Sequence, residues 1–386
     1  MLRGRPLTVL HVVGARPNFM KVAPVLRALD SREGFRSVLV HTGQHYDAHM
    51  SDAFFRDLGI RAPDANLAVG SGGHGAQTAG VMAALEPLLV AEIPDLVLVV
   101  GDVNSTLAAA LTATKLHIPV AHLEAGLRSG DRSMPEEINR LLTDQIADLC
   151  LTPSRDADES LAREGIAAER VHFVGNVMID SLLSHLPRAR DLAVPASMGL
   201  ERGRYVVVTL HRPSNVDQRE DLSAILEALE EIASRVPVVF PVHPRTAGRL
   251  EGFRLPLRRV CAVAPMGYLA MLGLLDGAGT VITDSGGIQE ETTVLGVPCL
   301  TLRDTTERPV TITHGTNRLV PDRSKAAILE AFGEAWGSPT EGRCPELWDG
   351  ATAERIADVL TAWRDGSPSP WPGAVAGLTT GGARSR

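Results

Sequence analysis

The stretch TVITDSGGIQEETTVLG, residues 280–296, carries the densest chemistry in this chain. A β-branched run at 280–283 reads as a buried strand. It turns at Asp284-Ser285-Gly286-Gly287 and enters a helix that Gly296 and Pro298 close. Two glycines at such a turn let backbone approach a ligand closely, and the exposed amides with the positive end of the helix dipole form an anion site. Glu291, one turn inside, can accept sugar hydroxyls and would repel phosphate. A diphosphate beside a ribose fits this arrangement, so a nucleotide-sugar is the first expectation. Glycines retained only for packing explain the segment equally well.

Other residues extend the reading. Arg16 precedes Pro17, a natural first helical residue, and Lys21 follows about a turn later. Cations are disfavoured at a helix N-terminus, so finding both there points to an anionic ligand. Asp102 follows the wholly apolar run 96–100 and can be catalytic or can cap the helix starting near Ser105. Glu124, in HLEAGLRS, has no evident capping role, which favours a functional carboxylate over pairing with Arg128. Glu136 has a structural competitor: Ser133-x-x-Glu136 spells a capping box, and Arg140 lies four residues on. The helix it opens places Ile138, Leu141, Leu142, Ile146 and Leu149 on one apolar face. His211, with Arg212 at the end of YVVVTL, can donate to phosphate or sugar. Carboxylates facing a cationic anion site suggest acid–base work on a sugar whose leaving group is a diphosphate.

The elements that must position these residues alternate strand and amphipathic helix, the pattern of parallel sheets covered on both faces. Strands are expected at 8–13, 37–41, 96–100, 120–123 and 171–174, then at 205–210, 238–242, 280–283 and 299–302. This predicts an α/β chain of two Rossmann-like doubly wound domains with a cleft between them. Residues 1–186 form the carboxylate-bearing domain, and 187–204, rich in proline, arginine and glycine, a linker. Residues 205–347 form the second, nucleotide-binding domain, 350–365 a helix, and 367–386 a disordered tail. The polar clusters fall at the carboxyl ends of strands, where such sheets bind ligands. That recurrence argues for an enzyme.

Composition narrows the class. With 44% hydrophobic and 22% charged residues among 386, this is an ordinary globular chain with ample core. A net charge of −8 argues against nucleic acid or an anionic membrane as the main partner. Lysine occurs only at 21, 115 and 325, consistent with a GC-rich genome. Cys150, Cys261, Cys299 and Cys344 show no metal-binding spacing and are expected to be buried free thiols. The short apolar N-terminal run is a strand rather than a signal segment, so a cytoplasmic protein is expected.

From about Val9 to Leu360 the chain resembles the non-hydrolysing UDP-N-acetylglucosamine 2-epimerases. The resemblance rests on GARPNFMKVAP, HTGQHYD, VGDVNSTLA, HLEAGLRS, MPEEINRLLTD, VGNVMIDSL, TLHRPSNVD, FPVHPRT, TDSGGIQEE and RDTTERPVTITHGTNRLV, in this order. It implies a GT-B arrangement of the two domains, with ATAERIADVLTAW as a helix returning to the first. It also implies interconversion of UDP-GlcNAc and UDP-ManNAc in a homodimer without NAD or metal, through elimination of UDP to 2-acetamidoglucal and re-addition. By motif position the catalytic group is Asp102, Glu124, Glu136 and His211. Arg16, His211, Ser285, Gly286 and Gly287 fall at diphosphate positions, Glu291 at the ribose, and Met271 where backbone reads the uracil. Lys21, Arg140 and Arg303 are supporting cations. For Glu136 the resemblance overrides the capping reading.

The chain departs from the family in places. GARPN replaces a GTRPE-like opening, and QHYDAHM and GSGGHGAQT stand where regulated members carry arginines. Activation by a second UDP-GlcNAc is therefore not expected. Epimerisation of a modified sugar such as a UDP-diacetamido-uronic acid, hydrolysis releasing ManNAc, glycosyl transfer, and a catalytically dead nucleotide-sugar sensor are the rival readings.

Overall fold

A computed structural model describes residues 5–43, 59–337 and 344–366. The expectations for 44–50 and for the 367–386 tail lie outside these residues, as does the Arg16 side chain. Contacts divide the chain into two units, one holding 62–177 with the N-terminal residues and those from 351 on, the other built on 178–350.

In the first unit β1 (Leu7–Val13), α1 (Arg16–Asp30), β2 (Phe35–His41) and β3 (Ala65–Asn66) are followed by α2 (His74–Glu92) and β4 (Leu96–Val100). Then come α3 (Asn104–Lys115), β5 (Val120–Leu123), α4 (Pro135–Ile146), β6 (Leu149–Thr152), α5 (Arg155–Arg163) and β7 (Val171–Phe173). The strands form one parallel sheet ordered β3-β2-β1-β4-β5-β6-β7. The β4 sequence LVLVV is buried throughout, the unbroken apolar run that a central parallel strand needs. The order reverses between β1 and β4, and such a switch point leaves a crevice at the carboxyl ends.

The second unit opens with α6 (Val177–Asp191) and α7 (Val194–Ser197). Residues 187–204, read as a linker, thus hold the end of one helix and a short second one; Arg190 and Arg202 both pair with buried Asp276. Next come β8 (Val206–Thr209), α8 (Pro213–Val216), α9 (Arg219–Ile232), β9 (Val238–Pro241) and α10 (Pro244–Phe253). β10 (Cys261–Val263), α11 (Tyr268–Asp276), β11 (Thr280–Thr283), α12 (Gly286–Leu295) and β12 (Cys299–Thr301) follow. α13 (Val310–Thr313), β13 (Asn317–Leu319) and α14 (Lys325–Ala335) complete the unit. Its parallel sheet runs β10-β9-β8-β11-β12-β13, with the switch between β8 and β11. Finally α15 (Thr352–Asp365) packs within the first unit, where Arg32, just past the end of α1, bonds Glu354 and Asp358 at 2.6 and 2.7 Å.

Two expectations fail for physical reasons. Helix α4 stops at Ile146, and Leu149 begins β6; Leu142 is 49% exposed. The buried face of α4 is polar, comprising Glu137, Asn139, Arg140, Thr143 and Asp144. Of the cysteines only Cys150 and Cys299 are buried, whereas Cys261 lies on the edge strand β10 and Cys344 is exposed. An edge strand has no neighbour to cover it. Among the described residues no helix is long and apolar enough to cross a membrane.

Candidate functional site

Each unit gathers its polar residues at the carboxyl ends of the strands flanking its switch point. In the first unit, Asn18 in the first turn of α1 donates from Nδ2 to the Val100 carbonyl at 2.9 Å, pinning the helix to the end of β4. The chain then turns at Gly101, whose φ of +67° suits glycine. A Cβ there would stand 3.2 Å from Glu124 Oε2 and 3.5 Å from Lys21 Nζ, so the turn packs directly on that pair.

Asp102 follows with its side chain 31% exposed. It does not cap α3, whose N-cap is Val103. Its Oδ2 instead accepts from Arg140 Nη2 at 2.6 Å and Nε at 3.1 Å, while Asn139 Nδ2 donates to its carbonyl at 2.9 Å. Arg140 also donates to Glu137 at 2.6 Å. Burial pushes the Glu137 carboxyl up, but the Ser129 and Gly130 amides with Arg140 hold it below the usual range.

Glu124 is 4% exposed and adopts a φ of +71° just past β5. A non-glycine residue held there is strained, and such strain gathers at functional sites. Its Oε2 meets Lys21 Nζ, also buried. Lys21 therefore lies on a carboxylate rather than at the open start of α1. Arg128, the alternative partner, binds Asp144 and Glu164 instead.

Glu136 is half-buried at the second position of α4. The capping box is not formed: the N-cap is Met134, and the Ser133 hydroxyl donates to Asp131. Nor does Arg140 reach Glu136, because Asp102 and Glu137 already hold it. No ion pair or hydrogen bond engages the Glu136 carboxylate among the described residues.

In the second unit the organising residue is Asp284, at the turn that leads into α12. Its buried carboxylate accepts from His211 N at 3.0 Å, Arg212 N at 2.9 Å and Asn215 Nδ2 at 3.1 Å. It also lies 2.9 Å from His211 Nδ1. Burial pushes the carboxyl up, but His211 and the backbone amides hold it below the usual range. With Nδ1 anchored, the His211 side chain remains 41% exposed. His243 lies beside it with ring centroids 5.6 Å apart.

Ser285 is the N-cap of α12 without using its hydroxyl for capping, so the first amides of the helix lack intrahelical acceptors. A Cβ on Gly286 would come within 2.8 Å of Arg308 and Glu307, so packing explains this glycine. Gly287 has ordinary space, its Cβ position 4.0 Å from Met178. Arg303 is buried and donates to Glu307 at 2.8 Å. Met271 lies inside α11, with its N–H donated to the Gly267 carbonyl at 3.0 Å. The amides that α11 leaves without intrahelical acceptors are therefore those of 267–270.

Glu291 sits buried beside Tyr268 and Glu290, and burial followed by Glu290 pushes its carboxyl up to about 8. A carboxyl raised above its unfolded value of 4.5 binds a proton that the unfolded chain has lost. Its contribution to stability is whole below that value and is lost as the pH rises through about 8. Thermal melts should show wild type losing midpoint against Glu291→Gln over that window; parallel curves would refute the assignment.

Among the described residues no three His, Cys, Asp or Glu side chains group as metal ligands. Of the segments bearing on a second nucleotide-sugar site, 44–50 lies outside the described residues; in 70–75, Gly70 is half-buried, 71–75 are exposed, and α2 begins at His74.

The family model for UDP-N-acetylglucosamine 2-epimerase matches residues 27–361. A Pseudomonas aeruginosa protein named UDP-2,3-diacetamido-2,3-dideoxy-D-glucuronate 2-epimerase is 43% identical, the match covering 92% of this chain and 99% of that protein. The crystal structure of the Methanocaldococcus jannaschii UDP-GlcNAc 2-epimerase, in complex with UDP-GlcNAc and UDP, superposes with a TM-score of 0.85 at 40% identity, covering 92% of this chain and 99% of that one. A kitacinnamycin glycosyltransferase shares the fold alone, with a TM-score of 0.58 at 15% identity, over 92% of this chain and 99% of that one.

Proposed function

The chain belongs to the UDP-N-acetylglucosamine 2-epimerase family, and we propose that it interconverts UDP-GlcNAc and UDP-ManNAc. In this reading a base removes the C2 proton, the C–H electron pair becomes the C1=C2 bond of 2-acetamidoglucal, and UDP departs with the C1–O pair. Re-addition of UDP with protonation from the opposite face inverts C2.

The observation that carries the proposal is the convergence of Asp102 and Glu124 at the Gly101 turn, each tied to a cation, with Glu136 on the adjoining helix. The C2 proton is weakly acidic, so a positioned carboxylate is needed, and a second group must return the proton on the other face. Fixed cations beside the two carboxylates hold their orientation. We assign the sugar chemistry to Asp102, Glu124, Glu136 and His211.

The diphosphate, on which charge develops as the anomeric bond breaks, is assigned to Arg16, His211 and the Ser285-Gly286-Gly287 start of α12. Glu291 takes the ribose and the backbone around Met271 the uracil. Lys21, Arg140 and Arg303 act as supporting cations. We further propose a cytoplasmic homodimer.

The P. aeruginosa relative's name supports a second substrate, a UDP-diacetamido-uronic acid. Incubation with each nucleotide-sugar in D2O, followed by proton NMR, tests both. The expected result is UDP-ManNAc from UDP-GlcNAc with deuterium only at C2. Turnover confined to the uronic acid would move the substrate, free ManNAc would establish hydrolysis, and UDP binding without turnover a sensor.

A further inference from the structure

His122 and Asp144 lie in the interior of the first unit with their side chains wholly buried, and no role assigned above uses them. His122 is in β5, two residues before Glu124, and Asp144 is on the polar face of α4, one turn after Arg140. The His122 ring joins two turns: Nδ1 lies 2.5 Å from Asp144 Oδ1, and Nε2 lies 2.8 Å from the Gly101 carbonyl oxygen. The ring thus bridges the two oxygens.

Asp144 in turn accepts from the Gly126 amide at 3.0 Å and from Arg128 at 2.7 Å. Gly126 has a φ of +83°, and a Cβ there would stand 2.5 Å from the Ala157 carbonyl oxygen, so this turn has a single accessible course. One continuous set of bonds thus runs from the Gly101 carbonyl, next to Asp102, through His122 and Asp144 to Gly126, two residues past Glu124.

We propose that His122 and Asp144 are positioning residues, tying the Gly101–Asp102 turn to the Glu124–Gly126 turn so that the two carboxylates keep one mutual geometry. The inference rests on the epimerase reading and adds to it the device that sets the distance between its acid–base groups. Core filling alone does not require this arrangement, since an apolar pair of similar volume satisfies a core without desolvation cost. Nor does it require the ring to spend one nitrogen on the peptide beside Asp102. A displacement of about 1 Å at a reacting group costs roughly a hundredfold in rate, so the pair acts on turnover while touching no substrate.

Two substitutions separate the two ends of the ring. The His122→Gln amide nitrogen reaches about as far as Nε2 and can keep the bond to the Gly101 carbonyl. In His122→Asn it reaches only about as far as Nδ1 and can keep Asp144 while losing Gly101. Steady-state epimerisation and C2 deuterium incorporation are followed by NMR, with rates normalised to the folded fraction from the calorimetric unfolding enthalpy.

The expected result is a kcat for His122→Asn lowered about 30- to 100-fold with KM little changed, and a smaller loss for His122→Gln, which keeps the bond beside Asp102 and gives up only the one to Asp144. Asp144→Asn, which keeps an acceptor for Gly126 but presents its amide N–H to the ring and so turns the ring off the Gly101 carbonyl as well, is expected to lower kcat as His122→Asn does; it carries the comparison against His122→Gln if His122→Asn does not fold. Wild-type kcat per folded molecule in His122→Asn or Asp144→Asn, or equal losses in the Gln and Asn variants, would overturn the proposal. A wild-type protein that epimerises neither UDP-GlcNAc nor the UDP-diacetamido-uronic acid shows instead that the epimerase reading has failed.

Discussion

Asp102→Asn is expected to lower epimerisation at least about a thousandfold while leaving the dissociation constant for UDP within about threefold, because proton transfer by a positioned group contributes up to roughly ten-thousandfold. The fold should tolerate the change. Asp102 is partly exposed, and Arg140 keeps Glu137 as a counter-charge, so no buried cation is stranded. Glu136→Gln should behave similarly, since its carboxylate engages no described partner.

Glu124→Gln should differ in a way that identifies its environment. It too should keep UDP binding and lose most turnover, but it leaves Lys21 buried without its counter-charge, and breaking one side of a buried pair costs about 3–5 kcal/mol. Adding Lys21→Met should recover stability and not activity. NMR rates, calorimetric UDP titration and denaturant melts on the variants check each statement. Near-normal turnover in Asp102→Asn would remove Asp102 from the mechanism.

The second large effect is expected in the other unit. Asp284→Ala removes the acceptor shared by two backbone amides, Asn215 and the His211 ring. Each buried donor left unsatisfied costs about 1–3 kcal/mol, so a stability loss of at least about 3 kcal/mol is expected. UDP affinity should fall about a hundredfold, the equivalent of roughly 2.7 kcal/mol, because His211 and the turn before α12 lose their common anchor. Asp284→Asn keeps one acceptor and should lose less on both counts. UDP titration and denaturant melts measure the two effects; wild-type UDP affinity in a folded Asp284→Ala protein would contradict the assignment of the diphosphate to this turn.

The sequence by itself determined the alternation of apolar runs and helices, and the placing of polar clusters at strand ends. β4, β5 and β11 fall where their runs place them, since a parallel strand buried on both faces must be continuously apolar. The shorter strands β3, β10 and β13 carry too few residues to show a period. The ordered motifs were enough to point to the family.

Only the tertiary structure decided which groups meet. Periodicity in α4 shows two unlike faces but not which one turns inward, and here the polar face does, because it carries the partners of Asp102, His122 and Gly126. Local spacing favoured Arg140 with Glu136 and Ser133 as a cap. A carboxylate brought to Arg140 from a neighbouring strand end, with buried Glu137 on its other side, holds it in place of the one a turn away. The same holds for Lys21 with Glu124 and for His211 with Asp284. These pairs are separated by 103 and 73 positions in sequence, distances at which residue spacing carries no information and strand order carries all of it.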